Sequence, residues 1–188
     1  MRVCVYAQSR TGSTVLSSYI SNRLDLYNIV EPYNPRNPNY HSDEEIWLEP
    51  KTSVKFLCGE LNSYQERELH RYFDKVIILT REDNIAGAES HLMGLITNQW
   101  DKYTYNIKEF TEGEKKQLQN NIKWKDKTRQ QLISLPYFQV TYEEIFYKKV
   151  GITRINSYLN IEQDNYDIDM FDLKHKYRQD PVNKKSII

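Results

Sequence analysis

Apolar runs alternate with polar stretches along this chain, and the alternation predicts its elements. Runs rich in β-branched and aromatic residues are typical of buried strands and cover residues 2–7, 52–58, 75–80 and 137–141. Stretches rich in Glu, Lys and Gln or otherwise helix-like predict helices at 63–72, 84–99 and 111–135, and another helix from Glu143. Strands that alternate with helices form a parallel sheet covered by helices on both faces. We therefore expect an α/β, three-layer sandwich.

Composition limits the domain count and the partners. A chain of 188 residues with 39% hydrophobic content suffices for one sizeable core, so we expect a single domain over 1–188. Within it, residues 34–50 are expected to form a loop with one short turn. The 26 basic and 26 acidic residues cancel, and the local basic patches at 123–125 and 174–178 are interpreted as solvated faces. We therefore do not expect a nucleic-acid partner.

The first strand runs directly into a Ser/Arg/Gly cluster at residues 8–14, after which apolar residues recur at helical spacing. A strand, a tight loop and a helix N-terminus aim several backbone N–H groups at one point, where a phosphate or sulfate is favoured. One alternative is a simple capped helix, with Ser9, Thr11 or Ser13 as the cap and Gly12 in the turn. The fixed charge of Arg10 favours an anion site, because a helix cap has no need of it.

A second candidate anion site follows a later strand. Arg81 comes directly after the strand at 75–80, and Ser90 lies on the helix that follows. Ligands of parallel α/β sheets bind outside the carboxyl ends of the strands, and the loop at 8–14 would share that edge. We therefore expect Arg81 and Ser90 to hold a second anionic group together.

At these residues the chain resembles the sulfotransferases that use 3′-phosphoadenosine 5′-phosphosulfate (PAPS). The resemblance rests on residues 9–14, the Arg81 to Ser90 spacing and residues 141–145, and residues 98–100 make it closest to bacterial and phage enzymes acting on carbohydrates. It implies a P-loop-like sulfotransferase fold, a metal-free reaction, and a carbohydrate or glycolipid acceptor. It also implies donor-binding roles for Ser9, Arg10, Thr11, Gly12, Ser13, Thr14, Arg81, Ser90, Trp100, Tyr142, Lys176 and Arg178.

The resemblance implies two catalytic residues. Arg10 stands where many family members have lysine, and it would neutralise the leaving phosphate without donating a proton. Glu31 precedes a proline, is expected to be extended, and would be the general base. The alternative for Glu31 is an ordinary surface-loop carboxylate. His41 and His91 are weaker candidates for the base.

For several of the predicted donor-binding residues, the sequence leaves two interpretations open. Trp100 either stacks on the ligand or closes a helix as a core residue, and Tyr142 either lies near the nucleotide or packs in the core. Lys176 and Arg178 would cover the 3′-phosphate, and residues 184–185 are equally arguable for that role.

The remaining features of the sequence concern the cellular compartment and the alternative functions. Cys4 and Cys58 fall inside predicted strands, no zinc-ligand spacing exists, and no apolar run approaches the ~20 residues of a membrane span. The first strand leaves no room for a signal peptide, so we expect a cytoplasmic protein of bacterial or viral origin, its oligomeric state undetermined. The alternatives are a P-loop kinase of a nucleoside or small metabolite, and a non-catalytic nucleotide-binding protein. The kinase requires a loop lysine and a strand-terminal acidic residue for magnesium, and the sequence suggests neither.

Overall fold

A computed structural model describes residues 1–34, 41–98 and 109–162. Within these residues the strands are β1 Val3–Ala7, β2 Tyr27–Val30, β3 Thr52–Leu57, β4 Lys75–Thr80 and β5 Phe138–Thr141. They form one sheet in the order β2-β3-β1-β4-β5, and every neighbouring pair is parallel. Four of these strands match the predicted runs. β2 was not predicted, because it is a short edge strand in which only Ile29 is fully buried and Tyr27 is 56% exposed.

The helices follow the predicted alternation with strands. They are α1 Ser13–Leu24, α2 Asp43–Trp47, α3 Ser63–Arg67, α4 Asn84–Thr97, α5 Glu112–Ile133, α6 Tyr142–Phe146 and α7 Val150–Leu159, with a 3₁₀ turn at Leu69–Arg71. The segment predicted as a loop with one turn contains α2, which begins with a capping box between Ser42 and Glu45. None of the described helices is both long and apolar enough to cross a membrane.

Alternate residues of the sheet face two separate cores. On one face, Val5 of β1 packs with Leu16 of α1 and Ile155 of α7. On the other face, Tyr6 packs with Ile46 of α2 and Leu132 of α5, and a smaller cluster joins α4 to α5. Two helical layers therefore enclose the sheet, which confirms the predicted α/β three-layer architecture.

The strand order fixes where a ligand is expected to bind. From β1 the chain continues through α1 to β2 on one side of the sheet, whereas from β4 it continues to β5 on the other side. β1 and β4 are neighbours, so the loops that leave their carboxyl ends diverge from a shared crevice. In open α/β sheets this switch point is the usual ligand site. The two predicted anion-binding segments are the loops on either side of it.

Candidate functional site

The loop between β1 and α1 has a strained, closely packed backbone. Arg10 has φ 62° and Gly12 has φ 74°, both in the left-handed region that glycine adopts most readily. A Cβ atom on Gly12 would lie 2.6 Å from the ring of Phe146 in α6. Glycine is therefore required at residue 12 both for its backbone angle and for the space that the Phe146 ring occupies.

The N-terminus of α1 has no side-chain cap. Gly12 is its N-cap residue, and the hydroxyl of Thr11 donates instead to the carbonyl of Gln8 at 2.8 Å. By contrast, α5 begins with a capping box between Thr111 and Glu114. The capped-helix alternative for Ser9, Thr11 or Ser13 is therefore wrong. An uncapped N-terminus presents N–H groups and the positive end of the helix dipole to an anion.

Gln8 fixes this loop to its surroundings. The side chain is fully buried and donates to the carbonyl of Lys125 at 2.7 Å and to the hydroxyl of Thr128 at 3.0 Å, both in α5. Its Oε1 atom accepts the backbone N–H of Arg81 at 3.2 Å. One amide therefore connects the β1–α1 loop, the end of β4 and α5, although the sequence reasoning assigned it no role.

The structure brings the two predicted anion-binding segments together through Arg10. Its Nε atom donates to the hydroxyl of Ser90 at 2.9 Å, and Arg81 Nη1 donates to the Arg10 carbonyl at 3.3 Å. The side chains of Thr11 and Ser13 are buried, whereas Thr14 is exposed. The two segments therefore form one cationic surface at the switch point.

Arg81 packs on an aromatic side chain. Its guanidinium stacks 4.4 Å above the Tyr142 ring, which is only 2% exposed. Tyr142 therefore contacts Arg81 and is not itself exposed in the crevice. The Glu143 carboxylate accepts the backbone N–H groups of Glu82 at 2.9 Å and Asp83 at 3.2 Å, and it lies 3.9 Å from Arg81 Nε. Within the described chain that Nε is buried without a hydrogen-bond acceptor. The Glu143 carboxylate therefore orients the guanidinium through its charge, without a hydrogen bond to that atom.

Glu31 lies at the same edge, directly after β2. The expectation of an extended residue is wrong, because Glu31 has φ 50° and its carbonyl accepts the N–H of Asn34 at 3.1 Å in a tight turn. Its own N–H donates to Lys55 O at 2.8 Å and so continues the sheet. The carboxylate, 21% exposed, is paired with Lys55 Nζ and accepts Asn34 Nδ2 at 2.6 Å.

Lys55 is a site residue that the sequence reasoning missed. It lies in β3 and is 2% exposed. Its Nζ atom pairs with the Glu31 carboxylate and donates to the Thr14 hydroxyl at 3.1 Å. Burial lowers its pKa, while the adjacent Glu31 carboxylate opposes that shift. A signal was present in the sequence, since a lysine lies between Val54 and Phe56 in a predicted buried strand.

Lys125 was also missed, and the interpretation of residues 123–125 as a solvated face is wrong for this side chain. It is 2% exposed, and its Nζ atom donates to the carbonyl of Ser9 and to the Ser9 hydroxyl, the latter at 2.9 Å. Burial, followed by the charges of Arg81 and Arg10, lowers its pKa to about 7. A signal was present in the sequence, since Leu118, Ile122 and Leu132 of the otherwise polar α5 lie three or seven residues from Lys125 and so share its face of the helix.

The structure shares its fold with a solved protein. The structure is similar to the crystal structure of mouse sulfotransferase SULT7A1 complexed with PAP, with a TM-score of 0.56 and 13% identity. The similarity covers 100% of this chain and 69% of the mouse chain. No protein-family model and no curated protein sequence matches this chain. At this identity the structural likeness establishes the fold, which agrees with the fold that the sequence motifs imply.

A second carboxylate lies near the Glu31–Lys55 pair. Glu60 follows β3, and its Oε2 atom accepts the N–H of Leu57 at 2.7 Å. Burial raises the pKa of Glu60 to about 7, and the Glu31 charge adds to the increase. Glu60 is therefore a titratable group at the edge of the site that the sequence reasoning did not select.

The other candidate residues are divided between the site and its surroundings. His91 Nδ1 lies 3.4 Å from the Ser9 hydroxyl, so His91 belongs to the site, whereas His41 packs edge-on against Tyr27 at 6.1 Å. Three predicted donor contacts and their alternatives lie outside the described residues: Trp100, Lys176, Arg178, Lys184 and Lys185. In the described part of the chain, no group of His, Cys, Asp or Glu side chains is arranged to hold a metal ion.

Proposed function

We propose that this protein transfers a sulfuryl group from PAPS to a hydroxyl of an acceptor, and that the acceptor is a carbohydrate or glycolipid. The observation that carries the proposal is the contact of Arg10 with both Ser90 and Arg81 beside the uncapped N-terminus of α1. PAPS has two separate anionic ends, and two cation-bearing loops at one switch point suit such a molecule. The carbohydrate acceptor rests on the motif resemblance to bacterial and phage enzymes.

The donor fits the groups at this edge of the sheet. The loop at 9–14 would hold the 5′-phosphosulfate, because its helix N-terminus lacks a side-chain cap and Arg10 adds a fixed charge. Arg81 and Ser90 would hold the 3′-phosphate, because Arg81 adds a second fixed positive charge beside Arg10 and Ser90 adds a hydroxyl. Tyr142 and Glu143 would act through Arg81 by fixing its position.

The chain's own residues have separable chemical tasks. The bound donor supplies the sulfur centre and a leaving 5′-phosphate. Glu31 would accept the hydroxyl proton as the acceptor oxygen bonds to sulfur, and Lys55 holds that carboxylate in place. Arg10 would neutralise the charge on the departing phosphate oxygen as the bond from sulfur to that oxygen breaks. No proton donor to the leaving group is needed, and arginine does not supply one at neutral pH.

A reducing, cytoplasmic setting is part of the proposal. Cys4 and Cys58 are both buried and neither is disulfide-bonded. Buried thiols of this kind behave as small apolar side chains and persist in reducing compartments.

The test of donor binding is thermal stabilisation by adenosine 3′,5′-bisphosphate (PAP) compared with ATP and magnesium. At one hundred times its dissociation constant, PAP should add ~2.7 kcal/mol to the free energy of unfolding. Ser90→Ala should reduce this stabilisation, and Ser134→Ala, at the far end of α5, is the matched control. A larger effect of ATP with magnesium would favour the kinase alternative and overturn the proposal.

The test of catalysis uses the Glu31→Gln variant. With a labelled donor and a panel of carbohydrate acceptors, the wild type should transfer label and Glu31→Gln should not, while both are stabilised equally by PAP. Turnover that survives in Glu31→Gln would move the base to His91, which lies at the loop. PAP binding with no transfer to any hydroxyl acceptor would indicate a non-catalytic nucleotide-binding protein.

A further inference from the structure

The amino group of Lys125 is buried behind the β1–α1 loop, and the proposed mechanism does not use it. It reaches the loop from α5, which is more than one hundred residues away in sequence, and donates to the Ser9 carbonyl and hydroxyl. Gly87 of α4 lies beside it, since a Cβ there would be in ordinary van der Waals contact with Lys125 Cε at 4.0 Å. The side chain therefore extends from α5 past α4 to the loop.

The charged and titratable groups around Lys125 are mostly cationic or neutral. Arg10 in the loop and Arg81 after β4 oppose its charge. The nearby Cys58 thiol after β3 is neutral at this pH, because burial raises its pKa to about 11. His91 of α4 contacts the same Ser9 hydroxyl, and the Trp124 ring of α5 lies 5.4 Å from Lys125 Nζ.

Among the described residues, no carboxylate lies within ion-pair distance of Lys125 Nζ. A buried ammonium beside two guanidinium groups is unfavourable without an anion. Arginine stays charged at any accessible pH, so Lys125 is the member of the three that can lose its proton. Its pKa of about 7 in the protein alone is consistent with this. An anion entering the crevice would offset the repulsion and favour the ammonium form.

We propose that Lys125 is a positioning residue that binds a proton when the site binds its anion, and that the resulting ammonium holds the loop closed on the ligand through Ser9. The inference rests on the proposed function to the extent that the ligand is a phosphate or phosphosulfate bound at this loop. It predicts that PAP affinity decreases with pH above neutrality, by up to about tenfold per pH unit.

The experiment is calorimetric titration with PAP at pH 7 to 9, in buffers that differ in ionisation enthalpy, so that protons taken up on binding are counted. The full chain is compared with Lys125→Arg, which keeps the charge but cannot titrate. Wild type should take up most of one proton more than Lys125→Arg near pH 8, and only wild type should lose affinity steeply with pH. Protons that the PAP phosphates themselves exchange on binding contribute equally in both proteins, so they cancel when the two proton counts are subtracted.

Each outcome bears on a separate claim. Equal proton uptake in wild type and Lys125→Arg would overturn the role of Lys125. Loss of the uptake in His91→Gln, with uptake retained in Lys125→Arg, would assign the proton to His91 and also overturn it. Absence of PAP binding in wild type would instead contradict the proposed function.

A wild-type measurement covers the case in which Lys125→Arg does not fold. In protein labelled at the lysine side chains, nuclear magnetic resonance should show a lysine that titrates near pH 7 and whose midpoint rises on addition of PAP. Lys55, which is also buried but is paired with Glu31, serves as a reference. No lysine with a PAP-dependent midpoint would overturn the inference.

Discussion

Replacing Gly12 by alanine tests whether the loop is built as the structure describes it. The new Cβ would lie 2.6 Å from Cε2 and Cζ of Phe146, a separation that real Cβ atoms essentially never show. The Phe146 ring is 3% exposed and packs against the Tyr142 ring at 4.6 Å, so it has little room to move. The backbone of Gly12 is also at φ 74°, which alanine disfavours.

The expected cost has two parts. Placing alanine in the left-handed region costs about 1 kcal/mol. Overpacking a buried contact costs about 1–3 kcal/mol more, depending on how far the Phe146 ring can shift. The free energy of unfolding should therefore fall by about 2–4 kcal/mol in Gly12→Ala.

Urea unfolding followed by circular dichroism measures this cost. Gly113→Ala is the matched control, because a Cβ there meets nothing within 4 Å and the residue lies in the exposed first turn of α5. That control should be neutral or stabilise the protein by up to about 1 kcal/mol. In a Phe146→Leu background, Gly12→Ala should cost less than in wild type. A loss below about 0.5 kcal/mol for Gly12→Ala would refute the described packing of the loop on α6.

Variants at three further residues test the site. Lys55→Met leaves the Glu31 carboxylate without its cation, so the free energy of unfolding should fall by about 2–3 kcal/mol at pH 7 in urea, and no loss would contradict the ion pair. Because the pKa of Glu60 is raised to about 7, its contribution to stability declines as the pH rises from 4.5 to 7. Glu60→Gln should therefore stabilise the protein by about 1 kcal/mol at pH 8 and have little effect at pH 5, and the opposite order would contradict that shift. Tyr142→Leu removes the ring beneath Arg81 and should weaken PAP binding about fivefold by calorimetry, whereas Tyr142→Phe should bind like wild type; equal losses in both would exclude the stacking role.

The local patterns of the sequence were sufficient to predict most of the fold. The apolar runs of β1 and β4 carry their own signal, because a strand buried on both faces is apolar along most of its length. β3 and the edge strand β5 were predicted from β-branched and aromatic residues, although both contain polar positions. The other edge strand, β2, was not predicted, and it begins with the exposed Tyr27 and the polar Asn28. The loop after β1 could also be recognised from its own residues, because the conformation of a tight turn depends mainly on the residues within it.

The rest of the site depends on contacts between distant segments. Lys125 shares the face of α5 that carries Leu118, Ile122 and Leu132, so its burial could have been predicted. Its contact with Ser9 could not, because the two residues are distant in sequence and meet only through the packing of α5 on the β1–α1 loop. The backbone of Glu31 departed from the rule for residues before proline because a sheet hydrogen bond and a turn together fix its conformation. Lys55 could have been found, since a charge inside a buried strand requires a partner.

The central claim is that two cationic segments at the switch point hold the two anionic ends of one nucleotide. The most direct measurement compares the affinities for PAP and for adenosine 5′-monophosphate, which lacks the 3′-phosphate, in wild type and in Arg81→Met. Wild type should bind PAP about tenfold or more tightly than the monophosphate, since a charge-assisted contact to the 3′-phosphate contributes at least about 1.5 kcal/mol. In Arg81→Met that preference should largely disappear while the monophosphate affinity changes little. Equal affinities in wild type, or a preference that survives the loss of Arg81, would contradict the claim.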